Sequence, residues 1–178
     1  LVADIGVDGA KQTATVRNLV VNLLDLAMTG SLDASDLDKT PTISGELKVA
    51  SFNPRDVLTA LGQSVPNTSD AKALSKLSLS TQLSGSADSL ALKPLSVVLD
   101  DSTLKGEARV SNFAKPAMRF ALQLDAIDLD RYLPPGSEAK PATPGAAAGK
   151  AAEAPTDSLR ALDIAGTFEA GKVKVAKL

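Results

Sequence analysis

The chain has 178 residues, 44% of them hydrophobic but only 3% aromatic, and it contains no Cys and no His. That length suits one domain or a piece of a larger one, and the missing residue types exclude thiol and imidazole nucleophiles, disulfides and metal sites built on Cys or His. Its 19 basic and 21 acidic residues leave a net charge of −2, without the basic stripe and stacking aromatics that nucleic-acid binding requires.

The chain opens at Leu1, with no initiator Met and no basic n-region. It is therefore read as a segment of a longer polypeptide whose signal or anchor lies upstream. No apolar run reaches the roughly 18 residues of a membrane-spanning helix. The longest, around Leu19–Met28, is broken by Asn22 and Asp25.

Taken in order, the first strand-like segments begin with glycine: Gly30-Ser31-Leu32-Asp33-Ala34 and Gly45-Glu46-Leu47-Lys48-Val49. The same shape recurs at Gly106–Val110 and Gly166–Ala170. Either hairpins repeat in an elongated array, or any amphipathic strand opening on Gly looks this way. Next come helix signals. Asn53 can cap, Pro54 suits the first helical position, and Val57, Leu58 and Leu61 keep helical spacing before Gly62. A short helix is predicted near 53–62 and a second near 70–76, opening at Asp70.

Period-two alternation then takes over, which puts apolar side chains on one face of a strand. Leu77, Leu79 and Leu83 alternate with Ser78, Ser80 and Gln82. Leu90 and Leu92 are followed, one residue out of phase, by Leu95, Val97 and Leu99. A one-residue slip turns a strand inside out, so Pro94 between them predicts a β-bulge. Leu104, Gly106, Ala108 and Val110 alternate with Lys105, Glu107 and Arg109. Met118, Phe120, Leu122 and Leu124 alternate with Arg119, Gln123 and Asp125, and a second slip to Ile127 and Leu129 predicts another bulge or bend. Short turns at 84–89, 100–102 and 114–116 make this an up-and-down meander.

Residues 134–158 are rich in Pro, Ala and Gly without apolar periodicity and read as a flexible linker. It separates a main body over 1–133 from a terminal hairpin over 159–178, too small to fold alone and expected to pair back onto the sheet. The predicted fold class is mainly β: a curved antiparallel sheet, forming an open groove or partial barrel, with one or two short α-helices.

The candidate chemistry is sparse. Asp100 with Asp101, and Asp125, Asp128 and Asp130, offer paired carboxylates for acid/base work or a hard cation; as turn residues and the solvated face of a strand they need no such role. Ser102-Thr103-Leu104-Lys105 matches S-x-x-K, but positions three apart on a strand face opposite ways. Gly145–Lys150 is one residue short of a phosphate loop and sits in the linker. No catalytic residue, metal ligand or cofactor is predicted. What remains is the apolar face. Leu79 and Leu83, Leu90, Leu92, Val97 and Leu99, Leu104 and Val110, and Met118, Phe120, Leu122 and Leu124 are read from alternation as lipid-facing. Two helices, each ~10 Å across, cannot cover a broad sheet of strands ~4.8 Å apart. The face is either the core against another layer or a groove for acyl chains.

The stretch Leu122-Gln123-Leu124-Asp125-Ala126-Ile127-Asp128-Leu129-Asp130-Arg131-Tyr132-Leu133-Pro134-Pro135 resembles the C-terminal half of the AsmA family of Gram-negative envelope proteins. Ser44-Gly45-Glu46-Leu47 leading to Phe52-Asn53-Pro54-Arg55, Leu83-Ser84-Gly85-Ser86, and Leu99–Gly106 support the likeness, which spans about 3–135 and resumes from Leu159. The resemblance implies a periplasmic body tethered by an N-terminal inner-membrane helix outside this chain. It also implies a role in envelope homeostasis and outer-membrane assembly; the apolar face itself points to phospholipid as partner, or alternatively to an envelope protein. Larger relatives look like elongated β-grooves that conduct phospholipids between membranes. None of these motifs is catalytic. Three readings follow: a lipid-shielding groove, a structural module that engages an envelope protein by its edge or face, and, least supported by the carboxylate positions, a hydrolase.

Overall fold

The computed structural model describes residues 1–136 and 163–175. The linker residues 137–158, including Gly145–Lys150, lie outside the described residues. Nine strands form a single sheet in sequence order: β1 (Val2–Asp8), β2 (Thr13–Leu23), β3 (Leu26–Ser35), β4 (Thr42–Phe52), β5 (Leu77–Ser86), β6 (Ser89–Leu99), β7 (Ser102–Ser111), β8 (Ala117–Asp128) and β9 (Asp163–Lys174). β1 to β8 are antiparallel to their neighbours, whereas β9 runs parallel to β8. The order is linear, so the sheet is open and β1 and β9 are its edges.

Register shows how alternation becomes a face. Leu79 pairs with Val97, Val97 with Leu104 and Leu104 with Leu124. Leu83 pairs with Leu92, Leu92 with Ala108 and Ala108 with Phe120. Leu90, Val110 and Met118 form a third row, and Leu95, Gly106 and Leu122 a fourth. Directly paired residues share a face, so all twelve predicted positions stand together, with Leu99 beside Leu77. The face continues through Leu47, Val49 and Ile43 of β4, Met28 and Leu32 of β3, and Val16 and Val21 of β2.

The β6 slip is a bulge, as its phase predicted. Leu92 and Leu95 face partners only two apart on β5 and β7, so the extra residue at Lys93–Pro94 keeps Leu90 to Leu99 on one side. Two more bulges lie in β2, between Val16 and Leu19, and in β4, between Val49 and Phe52. Asn18, in the first, takes φ 49, which Asn tolerates better than most residues. Each bulge bends its strand and adds twist. The slip predicted in β8 has another origin. β8 keeps its register with β9 from Leu124 to Ala126, but the carboxylate of Asp125 accepts the Thr103 N–H at 2.7 Å where β8 leaves β7.

Among the described residues one α-helix forms, α1 (Pro54–Ala60), with the Asn53 side chain capping the Arg55 N–H at 3.0 Å. The second predicted helix, near 70–76, is absent. Residues 71–74 are a turn, Leu74 takes φ 58, and the N–H groups of Leu74, Ser75 and Lys76 go to the Asp100 carboxylate instead of to helical carbonyls. The predicted terminal hairpin is also corrected: residues 163–174 are one continuous strand. Gly171 makes no turn. It lies inside β9, where a Cβ would meet the Asp125 carbonyl oxygen. The described residues contain no helix long and apolar enough to cross a membrane.

Candidate functional site

Among the described residues, no second layer lies over the apolar face. Among the described residues the only buried hydrophobic one is Ala73, and no large side chain is fully buried. Eleven of the twelve predicted positions are half-buried by their own neighbours, and Met118 is exposed. Exposure is graded across the sheet. In the central strand, Thr81 is 6% exposed, its hydroxyl donating to the Gln82 carbonyl at 2.9 Å. At one edge Ile5 and Val7 are each 74% exposed, and at the other Phe168 is 57% exposed. The apolar face is thus most enclosed at its centre and most exposed along both edge strands.

Glycines shape it. Gly30, Gly45, Gly106 and Gly166 all lie on the apolar face, in register with Leu47, Leu32, Leu122 and Phe120. A Cβ at Gly45 or Gly106 would fall on the carbonyl oxygen of Ser31 or Ala121. The neighbouring backbone comes that close only where the strand folds inward, which Gly permits. At Gly166 a Cβ would meet the Phe120 ring at 2.6 Å, so the ring lies over the glycine. These are the four glycines of the sequence echo. Gly85 and Gly171, outside the echo, approach the neighbouring backbone in the same way.

The opposite face is polar. Arg17 donates to Asp33 at 2.9 Å, Arg119 to Asp163 at 2.7 Å and Gln123 to Glu169 at 3.0 Å. Lys93 pairs with Glu107. A depression of about 690 Å³ opens there, lined in part by Thr29, Ser31, Glu46, Lys48, Ser80 and Gln82. Glu46 is its one carboxylate and already lies beside Lys48 in the alternating ladder. It is a hollow open to solvent, with Leu19, Val20, Leu47 and Pro94 also in its lining.

The predicted carboxylates are occupied separately. Asp125 holds the Thr103 and Ala126 N–H groups, Asp128 pairs with Lys174 at 2.7 Å, and Asp101 with Arg131 at 2.7 Å. No group of acidic residues among the described residues is placed to hold a metal ion. Ser102 and Lys105 stand on opposite faces of β7, in register with Leu99 and Ser96.

Asp100 is the exception, 9% exposed in the β6–β7 turn. It accepts the N–H groups of Leu74 at 2.8 Å and of Ser75 and Lys76 at 3.0 Å, and the Tyr132 hydroxyl at 2.9 Å. Burial pushes its pKa up, but these donors outweigh burial and hold it below the usual aspartate range. Burial, then the bond to Asp100, pushes the Tyr132 hydroxyl up to about 12. Asp70 beside it is also lowered, by the Lys72 N–H and then by Arg131. A carboxylate with a lowered folded pKa stabilises fully above its unfolded value, near ~3.9, and loses that contribution as pH falls through the folded value. The urea midpoint is therefore expected to hold from pH 7 to about 5 and to fall below pH ~4. The fall should be shallower in Asp100→Asn. An equal slope in both proteins would remove Asp100 from the acid response.

Sequence reading missed the bulges in β2 and β4. Their signal was present: Val16 to Leu19 and Val49 to Phe52 are the same odd–even slips as Leu92 to Leu95. Comparison with family models, with curated proteins and with solved structures finds no match to this chain.

Proposed function

We propose that this chain is a non-enzymatic envelope module whose open apolar trough shields the acyl chains of phospholipids, in the periplasm of a Gram-negative bacterium, as its resemblance to the AsmA family suggests. The observation that carries the reading is the uncovered face. Half-exposed Leu, Val and Phe side chains span all nine strands, and no large one is fully buried. Contiguous apolar surface of that extent marks an interaction site. Burial returns roughly 25 cal/mol per Å² of apolar area, so an acyl chain laid in the trough is held without polar contacts, and no fixed headgroup site is required. In the longer protein, an inner-membrane helix upstream would tether the module. Transport of lipid between the two membranes would follow from such troughs placed end to end.

A second reading is favoured by the edges. β1 offers an unpaired edge whose Ile5 and Val7 are mostly exposed, a fit for a strand added by an envelope protein.

The test is to purify the chain without harsh detergent and extract it for lipid mass spectrometry, beside a variant with Phe120→Asp and Leu122→Asp. Phospholipid near one equivalent in the wild type, lost in a variant of unchanged circular dichroism, is the expected result. A folded wild type without lipid overturns the acyl-chain reading and leaves the face and edge to a protein partner.

A further inference from the structure

Residues 53–76, between β4 and β5, are far longer than two antiparallel neighbours require. A hairpin needs only a few residues, and the other connections from β1 to β8 are short. This segment runs along the ends of five strands. It starts beyond Phe52 at the end of β4. At Leu74 to Lys76 it gives three N–H groups to Asp100, between β6 and β7, and the Lys76 carbonyl accepts the Asp100 N–H at 2.7 Å. At Ser69 and Asp70 it reaches past the end of β8, donating N–H groups to the carbonyls of Leu133 at 2.7 Å and Arg131 at 3.2 Å. The Arg131 guanidinium returns to the Asp70 carboxylate at 2.7 Å. Arg55 ties the segment to itself through the Ala73 carbonyl at 2.7 Å and the Thr68 hydroxyl.

This is also where the molecule is most enclosed. Ala73, Thr68, Asp100 and Ser102 are four of the five buried residues among those described. Ser102 stands on the apolar face, in register with Leu99, and is 6% exposed. At the other end of the same face Met118 and Ile164 are 38% and 48% exposed. The apolar face over β6 to β8 is thus enclosed at one end and exposed at the other.

We propose that residues 53–76 are a stopper, held shut by the Asp100 carboxylate, that closes one end of the apolar trough and limits how far an acyl chain extends along it. The proposal rests on the reading of that face as an acyl-chain surface. The catch suits release. Three of the segment's backbone N–H groups converge on one side chain, and Ser69 and Asp70 hold its far part through Leu133 and Arg131, all at strand ends and away from the ladders. A segment held in this way opens without unfolding the strands beneath it. The charged groups around the catch are Asp70, Asp101, Arg131 and Lys76, with the Tyr132 hydroxyl.

The experiment uses the full chain, Asp100→Asn and Tyr132→Phe. Asparagine leaves the Leu74 N–H without its acceptor, and phenylalanine removes one bond only. Amide exchange is followed at Leu74, Ser75 and Lys76 and at the strand residues Leu79, Val97 and Leu104. Binding of pyrene-labelled decanoic and hexadecanoic acids is measured in parallel. In Asp100→Asn, exchange at 74–76 should rise roughly a hundredfold while the strand amides stay protected. The preference for the longer acid should rise about tenfold over wild type, or about 1.4 kcal/mol. Tyr132→Phe should move both readouts the same way by less. Unchanged exchange at 74–76, or loss of protection across the strands together with them, overturns the stopper. Faster exchange with an unchanged length preference overturns it as a limit on chain length and leaves the acyl-chain surface standing. If neither acid binds either protein, the acyl-chain reading falls and the stopper with it.

Discussion

Asp100→Ala is expected to lower the unfolding free energy by about 3 kcal/mol, a large share of the roughly 5–15 kcal/mol typical of a folded domain. The carboxylate accepts three backbone N–H groups and one hydroxyl at 2.8–3.0 Å. Bonds to a charged acceptor are worth ~1.5–3 kcal/mol each when made alone. They do not add, because Leu74 to Lys76 can swing out and give their N–H groups to water once the acceptor is gone. That escape caps the loss below the sum. Urea unfolding followed by circular dichroism measures it. Asp101→Ala is the control, since that side chain is 86% exposed and should leave the midpoint near wild type. Equal midpoints for the two variants would show that the turn, and not the carboxylate, holds the segment in place.

Gly106→Ala is expected to cost at least ~3 kcal/mol, from two sources with different physics. Gly106 has φ +149, a region that L side chains rarely adopt and that costs of order 1–3 kcal/mol. In addition, the new Cβ would land on the Ala121 carbonyl oxygen of β8. Backbone cannot step aside as a flexible side chain would, so β7 and β8 must separate locally. Thermal unfolding should show a midpoint well below wild type, with amide protection lost first around Leu104 to Ala108 and Phe120 to Leu122. Gly9→Ala, in the β1–β2 turn with nothing within 4 Å of its built Cβ, should be nearly silent. A silent Gly106→Ala would mean that β7 does not need this bend to hold β8.

The strands were legible because their signal is local. Leu104 to Val110 and Met118 to Leu124 alternate without interruption, and a two-residue period has one structural meaning when turn residues bound it. The bulge at Pro94 was legible for the same reason, since a slip in phase must be absorbed somewhere if one side is apolar. The first helix was readable from Asn53, Pro54 and Gly62. The second was misread because Asp70 and Ala71 to Leu74 carry helical propensity, yet a carboxylate 24 residues or more downstream takes the N–H groups that a helix would use. The β8 slip was read as a bulge or bend for a similar reason: Asp125 takes the Thr103 N–H with its side chain, which spacing does not reveal.

Alone, then, the residues determined a mainly β chain, the one-sided placement of Leu, Val and Phe, and the absence of Cys and His chemistry. Each depends on residue type and near neighbours. The tertiary structure decided what depends on distant partners: that β9 lies parallel to β8 as a single strand, that the sheet stays open, and that no layer of the described residues covers its apolar side. It also decided that one buried aspartate gathers Leu74 to Lys76 and Tyr132 at the β6–β7 turn. Strand direction and coverage are set by which backbone groups find each other across the fold, and period-two alternation is the same whether a strand pairs parallel or antiparallel, covered or bare.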